Sequence, residues 1–154
     1  MTGGEYADLI AGYILFNFGE KNIKVYREVA LGKSIIGKNR RVDILVVCEE
    51  TNDAFAIECK FQASQGTVDE KIPYALEDMD ALRIEGCIVY AGEGFSAGVL
   101  HLLQASEQAC YCNPNPANLC STAHTRELDH LLSMHFKWWD RLVGDKKPFS
   151  LTSE

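Results

Sequence analysis

Polar side chains with catalytic potential alternate with apolar ones in the stretch AFAIECKFQ, residues 54–62. Successive side chains of a strand point to opposite faces, so Glu58, Lys60 and Gln62 share one face and the apolar residues share the other. A further carboxylate lies upstream, where Asp43 interrupts the apolar segment RVDILVV. Two carboxylates beside a lysine are suited to acid–base or metal-assisted chemistry.

The turn between these two segments determines whether the carboxylates meet. The tetrapeptide ETND separates them, which predicts a hairpin of antiparallel strands. With its centre between Glu50 and Thr51, Asp43 lies directly opposite Glu58 and on the same face. Lys60 projects from that face, roughly 6–7 Å along the strand.

Two adjacent carboxylates repel each other unless a cation lies between them. Hard oxygen ligands of this kind suit Mg²⁺ or Mn²⁺, which polarise a phosphate and lower the pKa of bound water. A neighbouring lysine can orient that water and stabilise developing negative charge. The alternative is a surface strand whose exposed face carries an ordinary Glu–Lys pair.

The elements that would position these residues follow from hydrophobic periodicity. The predicted helices and strands occupy residues 5–18 (α), 22–31 (β), 41–49 (β), 54–62 (β), 68 onward (α), 86–92 (β), 96–109 (α), a short strand at the start of the loop 110–124, and 125–143 (α). This order predicts one α/β domain over 1–154, with a mixed central sheet flanked by helices and an α-β-β-β-α-β core. The core spans about 4–110, and a C-terminal loop and helix span 110–145.

Two helix predictions depend on particular residues. Thr67 and Glu70 have the spacing of a capping box, and Pro73 predicts a kink or a second helical segment that starts there. In the last helix, the adjacent residues Trp138 and Trp139 cannot both face inward. One of them is therefore a candidate for the interface of a homodimer.

The segment RVDILVV followed by Glu58-Cys59-Lys60 resembles the D…(D/E)-x-K signature of the PD-(D/E)XK nuclease superfamily, whose members have a restriction endonuclease-like fold. The resemblance continues through ECKFQASQGTVDEKIPYAL, which is similar to the E-x-K-x-Q…G-T-x-x-E-K-x-P-Y stretch of a subset of these proteins. The similar parts cover roughly residues 4–92, and the element order agrees with the family core.

The resemblance implies metal-dependent hydrolysis of phosphodiester bonds, usually in DNA, by a water molecule attacking in line. Asp43, Glu58 and the backbone carbonyl of Cys59 would hold Mg²⁺ or Mn²⁺. Lys60 would position the water, and Gln62 would steady the site or contact a phosphate.

The chain departs from the family pattern at two positions. Val42 replaces the proline that precedes the aspartate, and Ala7 follows Tyr6 where many members carry a glutamate on the first helix. Glu5 and Asp8 are nearby candidates for that acid. For Glu5, stabilisation of the first helical turn through the helix dipole is the better prediction.

Substrate contacts are predicted from charge and from the same resemblance. Lys71 and Tyr74 would lie on the first turns of the second helix, within reach of a phosphate. Between residues 21 and 41 there are seven basic residues and one acid, a segment that contains Lys38, Arg40 and Arg41. This basic arm is compatible with nucleic acid, and a solvated hairpin loop is the equal alternative.

Composition narrows the functional classes. The net charge of −7 over 154 residues argues against a general polyanion-binding surface. No apolar run approaches the roughly 20 residues of a membrane span, and no signal-peptide pattern is present, so we expect a cytoplasmic protein without a membrane partner. Cys48, Cys59 and Cys87 lie in strand-like runs, which predicts reduced, buried thiols.

The loop CYCNPNPANLCSTAH holds the other three cysteines and a histidine: Cys110, Cys112, Cys120 and His124. A tetrahedral zinc site could use such ligands, but the C-x-C spacing is unusual for one. Free thiols are the expected state.

Three functions remain open. The first is a metal-dependent endonuclease acting on DNA; the second is a nuclease-like binding or scaffold protein that has lost activity, which the missing helix glutamate favours. The third is an RNA-processing nuclease, for which the sequence offers no platform of exposed aromatic residues.

Overall fold

The structure is a computed structural model that describes residues 1–151. Its elements, in chain order, are α1 (Gly3–Phe18), β1 (Ile23–Lys33), β2 (Asn39–Cys48), β3 (Asp53–Phe61), α2 (Val68–Asp80), β4 (Gly86–Ala91), α3 (Ala97–Ala105), β5 (Ala109–Tyr111), α4 (Arg126–His135) and α5 (Trp139–Val143). The predicted α-β-β-β-α-β order is confirmed, and the short strand predicted at the start of the loop 110–124 is present as β5. The third helix ends at Ala105, four residues before the predicted end.

One five-stranded sheet, in the order β1-β2-β3-β4-β5, organises the protein. The pairs β1–β2 and β2–β3 are antiparallel, whereas β3–β4 and β4–β5 are parallel, so the predicted mixed sheet is confirmed. Ile44 pairs with Ile57 and Cys48 pairs with Asp53, which is the register predicted for the hairpin.

Each face of the sheet is covered by a different set of helices. On one face, Ile57 and Cys59 of β3 pack with Ile10 of α1 and Leu132 of α4 in the larger hydrophobic core. On the other face, the smaller core joins residues of α2, β4 and α3: Ile72, Ala75, Met79, Ile88, Tyr90 and Leu103. The alternation of β3 therefore directs Glu58 and Lys60 toward the α2 side.

The start of α2 differs from the prediction. Thr67 has a helical backbone conformation and makes no side-chain capping hydrogen bond, so the predicted capping box with Glu70 is absent. Pro73 lies inside one uninterrupted helix, so no second segment begins there. A capping box does form at α1, where the hydroxyl of Thr2 accepts from the backbone N–H of Glu5 and the Glu5 carboxylate accepts from that of Thr2.

The predicted last helix is two helices. The chain leaves helical geometry after His135, and Lys137 adopts a left-handed conformation with φ of 62°, so α5 starts in a new direction at Trp139. Trp138 stacks on Phe18 in the core, whereas Trp139 is 55% exposed, as expected for two adjacent tryptophans. The homodimer remains a prediction.

The cysteines are free thiols within the described chain. Cys110 and Cys112 lie in the larger core, while Cys120 is exposed on the loop that follows. Cys48, Cys59 and Cys87 are buried, as predicted. Among residues 1–151, no helix has the length and apolar character needed to cross a membrane.

Candidate active site

Asp43 and Glu58 lie next to each other where the β2–β3 ladder ends. The last ladder pair is Ile44 with Ile57, and beyond it the carboxylates replace the backbone partners. The backbone N–H of Cys59 donates to Oδ2 of Asp43 over 2.7 Å, and the N–H of Asp43 donates to Oε1 of Glu58 over 3.2 Å. Each carboxylate thus uses one oxygen to hold the facing strand and keeps its other oxygen outside these two bonds.

Burial and mutual repulsion perturb Glu58. Its side chain is 23% exposed. Removal from water and the nearby charge of Asp43 raise the pKa of Glu58 to about 7, against the opposing effect of Lys60. Nζ of Lys60 lies 4.0 Å from Oε2 of Glu58, and within residues 1–151 no other cation is as close to this carboxylate. A carboxylate held in this way gains stability from any cation that enters the site.

Gln62 is buried, and its side chain is fully occupied by protein groups. Its Oε1 accepts from the backbone N–H of Val68 over 2.9 Å, at the start of α2. Its Nε2 donates to Oδ1 of Asp69 and to the carbonyl of Gly94. Gln62 therefore fastens the end of β3 to the start of α2 and satisfies the first N–H of that helix.

Close backbone approach reinforces this junction. A Cβ atom at Gly92 would lie 2.2 Å from the carbonyl oxygen of Gln62, and one at Gly94 would lie 2.3 Å from that of Ser64. The loop after β4 consequently requires glycine at both positions, which keeps the end of β3 and the start of α2 in fixed relation.

The acidic residues of α1, Glu5 and Asp8, interact with residues other than Asp43 and Glu58. The Glu5 carboxylate belongs to the capping box with Thr2, and the hydrogen bonds from Thr2 lower its pKa. Asp8 accepts a 2.8 Å bond from Nε of Arg27, whose Nη1 donates to the backbone carbonyl of Asp43 over 2.6 Å. Arg27 thereby links α1 to the strand that carries Asp43.

The predicted substrate contacts converge on one cleft. A cleft of about 400 Å³ beside Glu58 and Lys60 lies between the β1–β2 hairpin and α2. Its lining includes all five residues predicted as substrate contacts: Lys38, Arg40, Arg41, Lys71 and Tyr74. We refer to it as the active cleft.

Most of the basic arm is neutralised by ion pairs. Five of its seven members lie within 4.0 Å of a carboxylate oxygen, namely Lys21, Lys24, Arg27, Arg40 and Arg41. Arg40 is bonded twice to Asp78 of α2, at 2.7 and 3.2 Å, and is only 9% exposed. Lys33 and Lys38 make no ion pair within residues 1–151, so the arm offers far less free charge than its composition indicates.

Several residues at the site were not identified from the sequence. Asp78 could have been found, because it follows Tyr74 by one helical turn on the same face of α2. Arg27 could not, because its bond to a carbonyl depends on the tertiary structure.

Within residues 1–151, no three His, Cys, Asp or Glu side chains are grouped closely enough to hold a metal together.

No curated protein sequence matches the chain. Two solved structures are similar: a protein of unknown function (TM-score 0.40, 12% identity, covering 64% of this chain and 53% of that one) and a repair endonuclease from Pyrococcus abyssi (TM-score 0.37, 18% identity, 66% and 43%). The chain thus spans about half the length of each.

The family model of the PD-(D/E)XK nuclease superfamily domain matches residues 2–139. This match extends past the 4–92 region of the sequence resemblance and takes in α3, β5 and α4. Together with the single mixed sheet flanked by helices, it indicates a restriction endonuclease-like fold. The chain therefore belongs to the PD-(D/E)XK nuclease superfamily.

Proposed function

We propose that this protein is a metal-dependent endonuclease that hydrolyses phosphodiester bonds in DNA. The observation that carries the proposal is the junction at the end of the β2–β3 ladder, where Asp43 and Glu58 sit together beside Lys60. Family membership supports a nucleic acid as the substrate and a divalent cation as the cofactor.

The donor set suits Mg²⁺ or Mn²⁺. Asp43 and Glu58 each have one carboxylate oxygen outside the bonds that hold the strands. The backbone carbonyl of Cys59 would supply a third hard oxygen ligand. The raised pKa of Glu58 supports this assignment, because a cation would relieve the repulsion that causes part of the shift. When bound, the cation would polarise the phosphate and favour ionisation of a water molecule.

The chain's own residues would then perform three tasks. Lys60 would donate a hydrogen bond to the attacking water and counter the negative charge that develops on the phosphate. Lys71 and Lys38, which line the active cleft, would hold flanking phosphates. Gln62 would act as a positioning residue, because its amide holds α2 against the end of β3 and leaves no donor for a phosphate.

A cleavage assay tests the proposal. Plasmid, single-stranded and branched DNA would be incubated with Mg²⁺ or Mn²⁺ and with the parent, Lys60→Ala or Glu58→Ala protein. We expect cutting that requires the metal and falls by at least about 100-fold in both variants, as for the loss of a general catalyst. The exposed residues Lys146 and Glu107 lie outside the active cleft, so Lys146→Ala and Glu107→Ala serve as matched controls that retain activity.

The assay also decides between the open alternatives. Retained cutting in Lys60→Ala and Glu58→Ala would contradict the site assignment. No cutting by the parent, with metal binding absent by calorimetry, would favour a nuclease-like protein without activity. Cutting of an RNA strand but not of DNA would replace the substrate in the proposal.

A further inference from the structure

A trough runs between the β1–β2 hairpin and α2, and an ion pair divides it. On one side of the Arg40–Asp78 pair lies the active cleft. On the other lies a second cleft of about 630 Å³, the apolar cleft, between residues 30–35 and the loop 81–84 that follows α2. The two clefts share Ser34 and Arg40 in their walls, so a ligand that fills one lies beside the other.

Charge in the active cleft suits a phosphate backbone. Its lining has five cations (Lys38, Arg40, Arg41, Lys60 and Lys71) against two acids (Glu58 and Asp78), in a chain of net charge −7. Lys38 on the hairpin and Lys71 on α2 make no ion pair within the described part of the chain. Because neither lysine is held by a carboxylate, both are free to contact phosphates from the two walls of the cleft.

The surroundings of the cleft do not suit a second strand. The exposed surface of α2 carries Glu70, Glu77 and Asp80, and Lys71 is the only basic residue of that helix. The second strand of a duplex laid across the trough would bring phosphates against these acids. The trough therefore favours one strand over two.

The apolar cleft has the properties of a nucleobase site. Its walls include Ile35 and Ile84, apolar side chains that are 44% and 37% exposed. Ser34, which lines both clefts, has a buried hydroxyl without a hydrogen-bond partner among residues 1–151. Lys33 and Arg83 also line the cleft and add positive charge. Apolar walls, one unused hydroxyl and flanking cations match a base attached to its phosphate.

We propose that the trough binds one unpaired DNA strand, with phosphates on Lys38 and Lys71 and a base in the apolar cleft. This inference rests on the proposed function, because the strand would pass Glu58 and Lys60 in the active cleft. Tyr74, which is 39% exposed in that cleft, offers a ring on which a neighbouring base can stack.

Binding is measured by fluorescence anisotropy with labelled oligonucleotides of about 15 nucleotides, in low salt with Ca²⁺ in place of Mg²⁺. The probes are single-stranded DNA, the same sequence as duplex DNA, the same sequence as RNA, and a DNA strand of abasic sugars. For the parent, we expect the single DNA strand to bind at least about tenfold tighter than the duplex or the abasic strand.

Two substitutions on the hairpin and its facing loop separate the apolar cleft from general effects. Ile84→Glu, which introduces a charge into the cleft, should weaken single-strand binding about tenfold. Ile36→Glu is the matched control, because Ile36 is 60% exposed and lines neither cleft.

Lys71→Ala tests the phosphate contacts and should lower the salt dependence of binding by about one phosphate contact. Thermal unfolding of each variant verifies its fold.

The outcomes are separable from those of the cleavage assay. The inference would be overturned if the duplex or the abasic strand bound as tightly as the single strand or more tightly. It would also be overturned if Ile84→Glu and Ile36→Glu had equal effects. In either case, metal-dependent cutting of duplex DNA would still support the proposed function. Single-strand binding with these variant effects, but without metal-dependent cutting, would support the inference and remove the proposed function. Tighter binding of RNA than of DNA would overturn the choice of DNA.

Discussion

Ionised Glu58 should reduce the stability of the metal-free protein. Burial and the charge of Asp43 raise the pKa of Glu58 from 4.5 to about 7 in the folded state. Between these two pH values the folded protein binds more protons than the unfolded chain, so the free energy of unfolding falls as pH rises through this window. Below pH 4.5 both states are protonated, and above about pH 7 the loss is complete.

The magnitude follows from the size of the shift. Each pKa unit corresponds to about 1.4 kcal/mol, and a shift from 4.5 to about 7 therefore costs about 3 kcal/mol at pH 8. Glu58→Gln keeps an oxygen that can accept from the N–H of Asp43 but has no charge to bury. We expect this variant to match the parent at pH 4.5 and to exceed its free energy of unfolding by about 3 kcal/mol at pH 8.

Urea unfolding in EDTA, followed by tryptophan fluorescence at several pH values from 4.5 to 8, measures the difference. Glu5→Gln is the matched control: this carboxylate is exposed and hydrogen bonds from Thr2 lower its pKa, so its stabilisation is already present above pH 4.5 and its removal should cost a nearly constant amount from there to pH 8. Saturating Mg²⁺ should raise the stability of the parent at pH 8 and leave Glu58→Gln nearly unchanged. A stability difference between parent and Glu58→Gln that does not vary with pH would refute the reasoning.

Three further predictions concern the loops and ion pairs around the site and one buried hydrogen bond in the larger core. Gly94→Ala should lower the free energy of unfolding by about 1–3 kcal/mol in urea unfolding, since the added Cβ would lie 2.3 Å from the carbonyl oxygen of Ser64. Arg40→Ala should cost about 3 kcal/mol in the same assay, because it leaves the carboxylate of Asp78 largely buried without its partner; equal stability would show that water replaces the guanidinium. Tyr6→Phe should cost about 1–2 kcal/mol by thermal unfolding, because it removes a buried 2.6 Å bond to a backbone carbonyl, and an unchanged midpoint would contradict this.

The sequence was sufficient where local periodicity and a short turn determine the structure. Strict alternation and the ETND turn predicted both the strands and the pairing of Ile44 with Ile57, and this register places Asp43 beside Glu58. Such a prediction succeeds because a slip of one residue would turn Ile57 out of the core.

The sequence was insufficient where tertiary contacts override a local pattern. Thr67 and Glu70 have the spacing of a capping box, but Thr67 has helical backbone angles instead of the extended ones that an N-cap needs, so its hydroxyl makes no capping bond. Similarly, apolar spacing through residue 143 predicted one long helix, whereas the chain turns at Lys137 so that Trp138 can stack on Phe18. Periodicity reports which residues are buried and not whether one straight helix can bury them.

The composition of the basic arm suggests a surface that binds nucleic acid, but most of its charges are used in ion pairs. Five of its seven cations form ion pairs. Three of these pairs join the arm to helices α1, α2 and α5, and the other two lie within the β1–β2 region. Arg40 illustrates this, since its bonds to Asp78 fix the hairpin against α2 and form the wall between the two clefts. Lys38 is left without a carboxylate partner within residues 1–151 and lies across the cleft from Lys71. We therefore expect an acidic chain to bind a polyanion at one place, because Lys38 and Lys71, two cations without an ion pair within residues 1–151, line the cleft that also contains Glu58.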